Sequence, residues 1–281
     1  MEGSPYTRGF RQLPGRLRLS PELRSRESVD LDGSQLGRDR MGEQLAMPAF
    51  EPWDRFMANL DWRQGEHVTL AGGTGSGKTT LARQLLPLRQ YVVVLATKKE
   101  DPSLYRPLEA QGYVMRSSWD PDPENEPRVI FRPPLLGGKA GKEAQAEAFR
   151  EALIDIFETG RWCVYADEIR YITQFLGLQT EMELLWLQGR SLKVSVVVST
   201  QRPVSIPVVA WEAQHLFVWR FSEKRDIDTI SDFTGVLYPT VRQAIPRLPK
   251  HEVLHVRPEF ATATRTKVPP NVATPGTDRT R

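Results

Sequence analysis

The stretch Gly72-Gly73-Thr74-Gly75-Ser76-Gly77-Lys78-Thr79 fits G-x-x-x-x-G-K-[ST] in full. Its chemistry is phosphate binding. Glycines let successive backbone N–H groups turn inward around an anion, and the start of the following helix adds partial positive charge. Lys78 is placed to reach the β- and γ-phosphates of a nucleotide, and the Thr79 hydroxyl to ligate Mg²⁺, with Thr80 completing the candidate contacts. A short apolar segment, His67–Ala71, precedes the loop and a helical pattern follows Lys78, which is the context the motif requires.

A second metal partner is expected at the end of an apolar strand. Trp162-Cys163-Val164-Tyr165-Ala166 ends in Asp167-Glu168. Asp167 is the candidate to hold Mg²⁺ through a water, and Glu168 the base that orients or deprotonates an attacking water. A further apolar run, Val194–Ser199, leads to Gln201, a polar residue where a buried strand emerges and a candidate sensor of the γ-phosphate. Arg190, just before that run, is a candidate arginine finger for a neighbouring subunit's nucleotide, with Arg202 and Arg220 as alternates. A plain surface arginine is the competing reading.

The elements that must hold these residues are legible as alternating patterns. Strands are predicted at 67–71, 91–96, 128–132, 162–166, 194–199 and 216–221, and helices at 78–87, 143–159 and 180–190. Near-continuous β-branched runs alternating with amphipathic helices predict one α/β domain, a parallel sheet covered on both faces.

Composition bounds the rest. The chain has 281 residues, 40% hydrophobic, enough for a sizeable core. Its one cysteine, Cys163, excludes a disulfide framework and a multi-cysteine metal module. The longest apolar run, Tyr91–Ala96, falls far short of the roughly 20 residues that span a bilayer. With no apolar signal core near the N-terminus, a soluble, cytoplasmic protein is expected. The net charge of +3 comes from the ends. Residues 1–45 carry eight Arg/Lys against seven Asp/Glu, 258–281 four against two, and 46–257 are neutral. We expect a basic, disordered arm over 1–45, one ATPase domain over 46–257 and a disordered Thr/Pro-rich tail over 258–281.

Together these residues resemble the HerA–FtsK superfamily of DNA-translocating ATPases over roughly 64–257. The likeness rests on the phosphate loop, Val94–Asp101, Tyr165–Glu168, Gln188-Gly189-Arg190-Ser191 and Ser199–Pro203, with a further matching stretch from Phe217 to Asp232. It implies a RecA-like P-loop NTPase of the ASCE type, with a mostly parallel sheet flanked by helices. It also implies ATP and Mg²⁺ as cofactors and a homo-oligomeric ring, hexamer or pentamer, that pulls double-stranded DNA through its centre. Residue by residue it gives Lys78 and Thr79 the phosphate-loop roles, Asp167 and Glu168 the metal and water roles, Gln201 the sensor role, and Arg190 the trans-acting arginine. Transmembrane helices, a DNA-reading winged helix and a nuclease domain, found in some members, are not seen in this sequence. The outline is most like the small genome-packaging ATPases of viruses, with a portal, capsid or channel as docking partner and a location in host cytoplasm or virion. Transfer ATPases of plasmids or integrative elements are the near alternative. A P-loop kinase and a nucleotide-gated assembly protein are the competing classes.

For DNA contact, the loop Pro133–Lys142, with its glycines and two lysines, is the first candidate and Lys98 with Lys99 the second. His251-Glu252-Val253-Leu254-His255 is a literal H-E-x-x-H. That pattern needs a helix to bring both histidines to one zinc, and here prolines bracket a segment that reads as a strand. On a strand the two lie roughly 13 Å apart, too far to share a metal.

Overall fold

The computed structural model describes residues 46–270. The chain opens with a two-residue strand β1 (Ala49–Phe50) and helix α1 (Trp53–Asn59), then β2 (Val68–Ala71), α2 (Lys78–Leu85), β3 (Val92–Leu95) and α3 (Tyr105–Glu109). It continues through β4 (Val114–Arg116), β5 (Arg128–Phe131), α4 (Gly138–Thr159), β6 (Cys163–Ala166), α5 (Gln179–Gln188) and β7 (Ser195–Thr200). The last elements are β8 (His215–Val218), α6 (Lys224–Asp232), α7 (Tyr238–Ala244), β9 (Glu252–Arg257) and β10 (Thr262–Lys267).

The strands form one ten-stranded sheet, ordered β1-β10-β9-β8-β2-β7-β6-β3-β5-β4. Among the described strands β9 alone runs against the others. The β-branched runs are buried on both faces. Val92 and Val94 face one apolar cluster with α1, α2 and α3, while Val93 and Leu95 face the other with α4 to α7. Period-two alternation thus splits a continuous apolar run between two cores. Phe149 of α4 is fully buried, its ring 5.6 Å from that of Phe131; truncating such a ring costs about 3–5 kcal/mol.

The order of the central strands is what builds the site. β7 lies between β2, which carries the phosphate loop, and β6, which ends at Asp167. All three end at the same edge of the sheet, so their following loops converge.

Three expectations need correction. The tail does not begin at 258. A short turn at Pro258–Phe260 folds the chain back as β10, which pairs antiparallel with β9 and parallel with β1. The signal was the alternation in Thr-Ala-Thr-Arg-Thr-Lys, where β-branched threonines suit a pleated strand and Thr266 is fully buried. Next, the loop Pro133–Lys142 is not a flexible connector throughout, because α4 starts at Gly138 and takes in both lysines. Gly141 serves close packing there: a Cβ on it would stand 2.1 Å from the Leu136 carbonyl oxygen. Finally, β1, α1, α3, β4, α6 and α7 were not among the predicted elements. The expected basic arm over 1–45 and the end of the tail lie outside the described residues. The H-E-x-x-H segment is strand β9 from Glu252 onward, with His251 exposed and His255 buried.

Candidate active site

The phosphate loop runs from the end of β2 into α2 and adopts the left-handed conformation at Gly75 (φ +71°) and Gly77 (φ +119°). Non-glycine residues adopt such angles only with strain. Gly72 N donates to Thr200 O at 3.1 Å, which hangs the loop on β7. Lys78 Nζ curls back inside the loop, donating to Gly72 O at 2.5 Å and Gly73 O at 3.0 Å. Burial pushes its ammonium below the ordinary lysine range, and the charges of Asp167 and Glu168 oppose that shift. Ser76 Oγ is buried in the loop without a hydrogen-bond partner among the described residues.

Asp167 is held from several sides. Tyr165 OH donates to Asp167 Oδ1 at 2.7 Å, and Ser199 Oγ to the Asp167 carbonyl. Lys98 Nζ donates to Asp167 Oδ2 at 2.8 Å and to Asp101 Oδ2 at 2.9 Å. Burial alone would lower the Lys98 pKa, but these two carboxylates outweigh it and hold the ammonium above its usual range. Thr79 Oγ1 lies 3.5 Å from Asp167 Oδ1. A hydroxyl and a carboxylate oxygen this close, beside the phosphate loop, suit a hard divalent cation that takes oxygen ligands. The residues therefore fit Mg²⁺, which Thr79 and Asp167 would hold.

Glu168 points differently. Burial raises its carboxyl above the usual range, partly opposed by a hydrogen bond from the Arg170 backbone N–H. It lines a cavity of about 590 Å³ with Arg170, Tyr171, Gln174, Phe175, Gln201 and Arg202. A neighbouring cavity of about 470 Å³ is lined by residues 74–80 with Arg83, Lys98, Asp101 and Asp167. Gln201 borders both, and its Oε1 accepts the Thr74 hydroxyl at 2.7 Å. It stands between the phosphate loop and the cavity that Glu168 lines.

Every site residue expected from sequence is thus gathered at one edge of the sheet, except Arg190. Arg190 follows α5, is exposed, and lies at the opposite edge. A Cβ on Gly65, before β2 begins, would sit 3.0 Å from the Arg190 carbonyl. Its own chain cannot bring it to the phosphate loop. Of the alternates, Arg202 lines the Glu168 cavity and pairs with Glu223 at 2.9 Å, and exposed Arg220 follows the end of β8. Lys98, a candidate DNA contact, lines the cavity beside the phosphate loop. Sequence reasoning did not find the support that Lys98, Tyr165 and Ser199 give Asp167. That support depends on β6 lying between β3 and β7, which no local pattern encodes.

No protein-family model matches the sequence, and no curated protein matches it. Solved structures do resemble the fold. The genome packaging NTPase B204 from Sulfolobus turreted icosahedral virus 2, in complex with sulfate, matches 76% of this chain and 100% of its own at 15% identity, TM-score 0.55. Its complex with AMPPCP matches 72% and 97%, TM-score 0.52. VirB4 of Thermoanaerobacter pseudethanolicus matches 73% and 89% at 10% identity, TM-score 0.54. The chain has the P-loop NTPase fold. No helix among the described residues is long and apolar enough to cross a membrane.

Proposed function

We propose that this P-loop protein is an Mg²⁺-dependent ATPase that moves double-stranded DNA, acting in viral genome packaging as a homo-oligomeric ring. The observation that carries the hydrolytic half is the placement of Gln201 between Thr74 of the phosphate loop and the cavity that Glu168 lines. Lys78 leaves its loop carbonyls for the β- and γ-phosphates, where the inward N–H groups and the start of α2 supply the rest of the cradle. Thr79 and Asp167 would hold Mg²⁺, which when bound would neutralise charge on the phosphates. Glu168, its carboxyl pKa raised by burial, accepts the proton of the attacking water. Gln201 registers the γ-phosphate through Thr74.

The DNA half draws on the packaging NTPase whose fold this chain shares. The ring draws on Arg190. It lies at the sheet edge away from the chain's own phosphate loop, so a neighbour in a ring can present it to that loop while its own chain cannot. A trans-acting arginine stabilises the transition-state charge.

Steady-state ATP hydrolysis, measured with and without double-stranded DNA at low salt, tests the whole. Stimulation by DNA in the native protein, lost in Arg190→Ala with ATP binding retained, is the expected result. Hydrolysis indifferent to DNA at every protein concentration overturns the DNA half, and binding without turnover overturns the enzyme.

A further inference from the structure

The cavity that Glu168 lines carries, on the side of Arg170, Tyr171 and Phe175, groups to which the nucleotide chemistry gives no role. After β6 the chain makes a five-residue π-helical turn, Tyr171–Phe175, a rare geometry that recurs at functional sites. The Tyr171 and Phe175 rings stack with centroids 4.8 Å apart. Phe175 is 49% exposed, and Lys142 of α4 sets its ammonium 4.8 Å from that ring's centroid. Arg170, exposed, opens the turn and donates through Nε to Gln174 Oε1 at 3.0 Å.

The charges here are not spent on acids. Neither Arg170 nor Lys142 has a carboxylate partner among the described residues, whereas nearby Arg202 pairs with Glu223 and Lys139 with Glu143. Two such cations on two elements, flanking an exposed ring, suit an extended anionic backbone better than a single small anion. Phosphates take the cations, and a sugar packs on the aromatic edge.

The same turn is tied to Glu168. Arg170 and Glu168 line one cavity, and Tyr171 N donates to Glu168 O at 3.0 Å, so the turn that carries the Arg170 guanidinium is anchored on the Glu168 backbone. A displacement of this turn moves Glu168 with it.

We propose that Arg170, Lys142 and Phe175 form the contact by which double-stranded DNA reaches Glu168, its backbone phosphates pairing with the two cations and its grip passing through the turn that Tyr171 N ties to Glu168 O. This inference rests on the DNA-moving reading above and names the surface through which that reading operates. Arg170 acts here as a positioning residue.

The test compares the native protein with the double variant Lys142→Ala/Arg170→Ala and with Lys193→Gln, which removes one exposed cation at the opposite sheet edge. Binding of a labelled 30-base-pair duplex is measured across salt, with melting temperature as the folding control. We expect at least tenfold weaker DNA binding by the double variant and a salt slope reduced by about 2, roughly 0.9 for each phosphate no longer neutralised. Lys193→Gln should bind like the native protein. At DNA concentrations that saturate the double variant, its kcat should show no rise above that variant's own DNA-free level. Native-like DNA affinity and salt slope in the double variant overturn the inference while leaving the DNA-moving reading standing. Full stimulation at saturating DNA overturns the link to Glu168. A changed oligomeric state with DNA affinity intact makes the surface an interface between copies and overturns the proposal. A native protein that neither binds DNA nor responds to it overturns both the inference and the reading beneath it.

Discussion

Thr74 and Gln201 are 127 residues apart in sequence and joined by a 2.7 Å hydrogen bond, the Thr74 hydroxyl donating to Gln201 Oε1. One sits on the loop after β2 and the other just past the end of β7. The bond therefore ties the place where a γ-phosphate would lie to the strand that borders the Asp167 strand.

Replacing Gln201 by alanine removes that tie while leaving the residues of the phosphate loop themselves in place. Affinity for a non-hydrolysable ATP analogue should change by less than about threefold, and kcat should fall by about 10- to 100-fold. Isothermal titration beside steady-state kinetics separates the two. An equal loss in both would make Gln201 a part of the nucleotide seat.

Glu168→Gln keeps shape and removes the base. Nucleotide binding should persist while turnover drops by about 10²–10⁴-fold, the usual contribution of a positioned base. Because burial raises the Glu168 pKa, the carboxylate takes up its proton at a higher pH than an ordinary one. The rate should therefore fall on the acid side, with its midpoint above the reference value of about 4.3. A kcat profile between pH 4.5 and 8 checks this.

Lys98 donates to Asp167 Oδ2 at 2.8 Å, so a divalent cation bound at Asp167 would have to share or displace that ammonium. Lys98→Met should lower the Mg²⁺ concentration that half-saturates nucleotide binding by several-fold. Loss of Mg²⁺-dependent binding instead would assign Lys98 to holding Asp167 in place. Titration of Mg²⁺ against a fluorescent nucleotide distinguishes the outcomes.

Stability should fall in mild acid, for reasons remote from the nucleotide. His215 Nδ1 lies 3.0 Å from His255 Nε2, and its Nε2 lies 3.1 Å from Glu66 Oε2, all buried. Burial depresses the pKa of His215 and His255, and lowers that of His67 to about 4. Depressed values mean that the folded chain binds fewer protons than the unfolded one, so stability is whole above the unfolded pKa of about 6.5 and drains as pH falls. For His67 the window runs down to about pH 4 and amounts to about 3 kcal/mol, at 1.36 kcal/mol per unit. Melting temperature should be level from pH 8 to 7 and drop steadily below pH 6.

The central strands and the phosphate loop were legible because each announces itself locally. Val92–Leu95 and residues 196–198 are apolar, largely β-branched runs, and the loop is a motif with a physical reason at nearly every position. Asp167, Glu168 and Gln201 were legible by the same logic, as polar residues where buried strands end. What was hidden depends on pairing at a distance. Lys98 meets Asp167 because β3 neighbours β6, and the 262–267 strand exists because β9 and β1 offer it edges. Composition misled in that last case. Threonine and proline suggest a tail until the alternation of side chains is set against a partner strand. The start of α4 was missed for a related reason, since Gly137, Gly138 and Gly141 read as loop although Gly141 is packed against Leu136.

Trp219 lies just past the end of β8, buried under the phosphate loop. A Cβ on Gly72 would come within 3.0 Å of its Cβ, and one on Gly77 within 3.5 Å of its indole nitrogen, which has no hydrogen-bond partner among the described residues. Indole emission responds to the charge and polarity around the ring. The chain thus has an intrinsic optical reporter beneath the phosphate loop. Nucleotide arrival and departure can be followed by stopped-flow fluorescence without a dye, and Trp219→Phe would isolate its signal from the other six tryptophans.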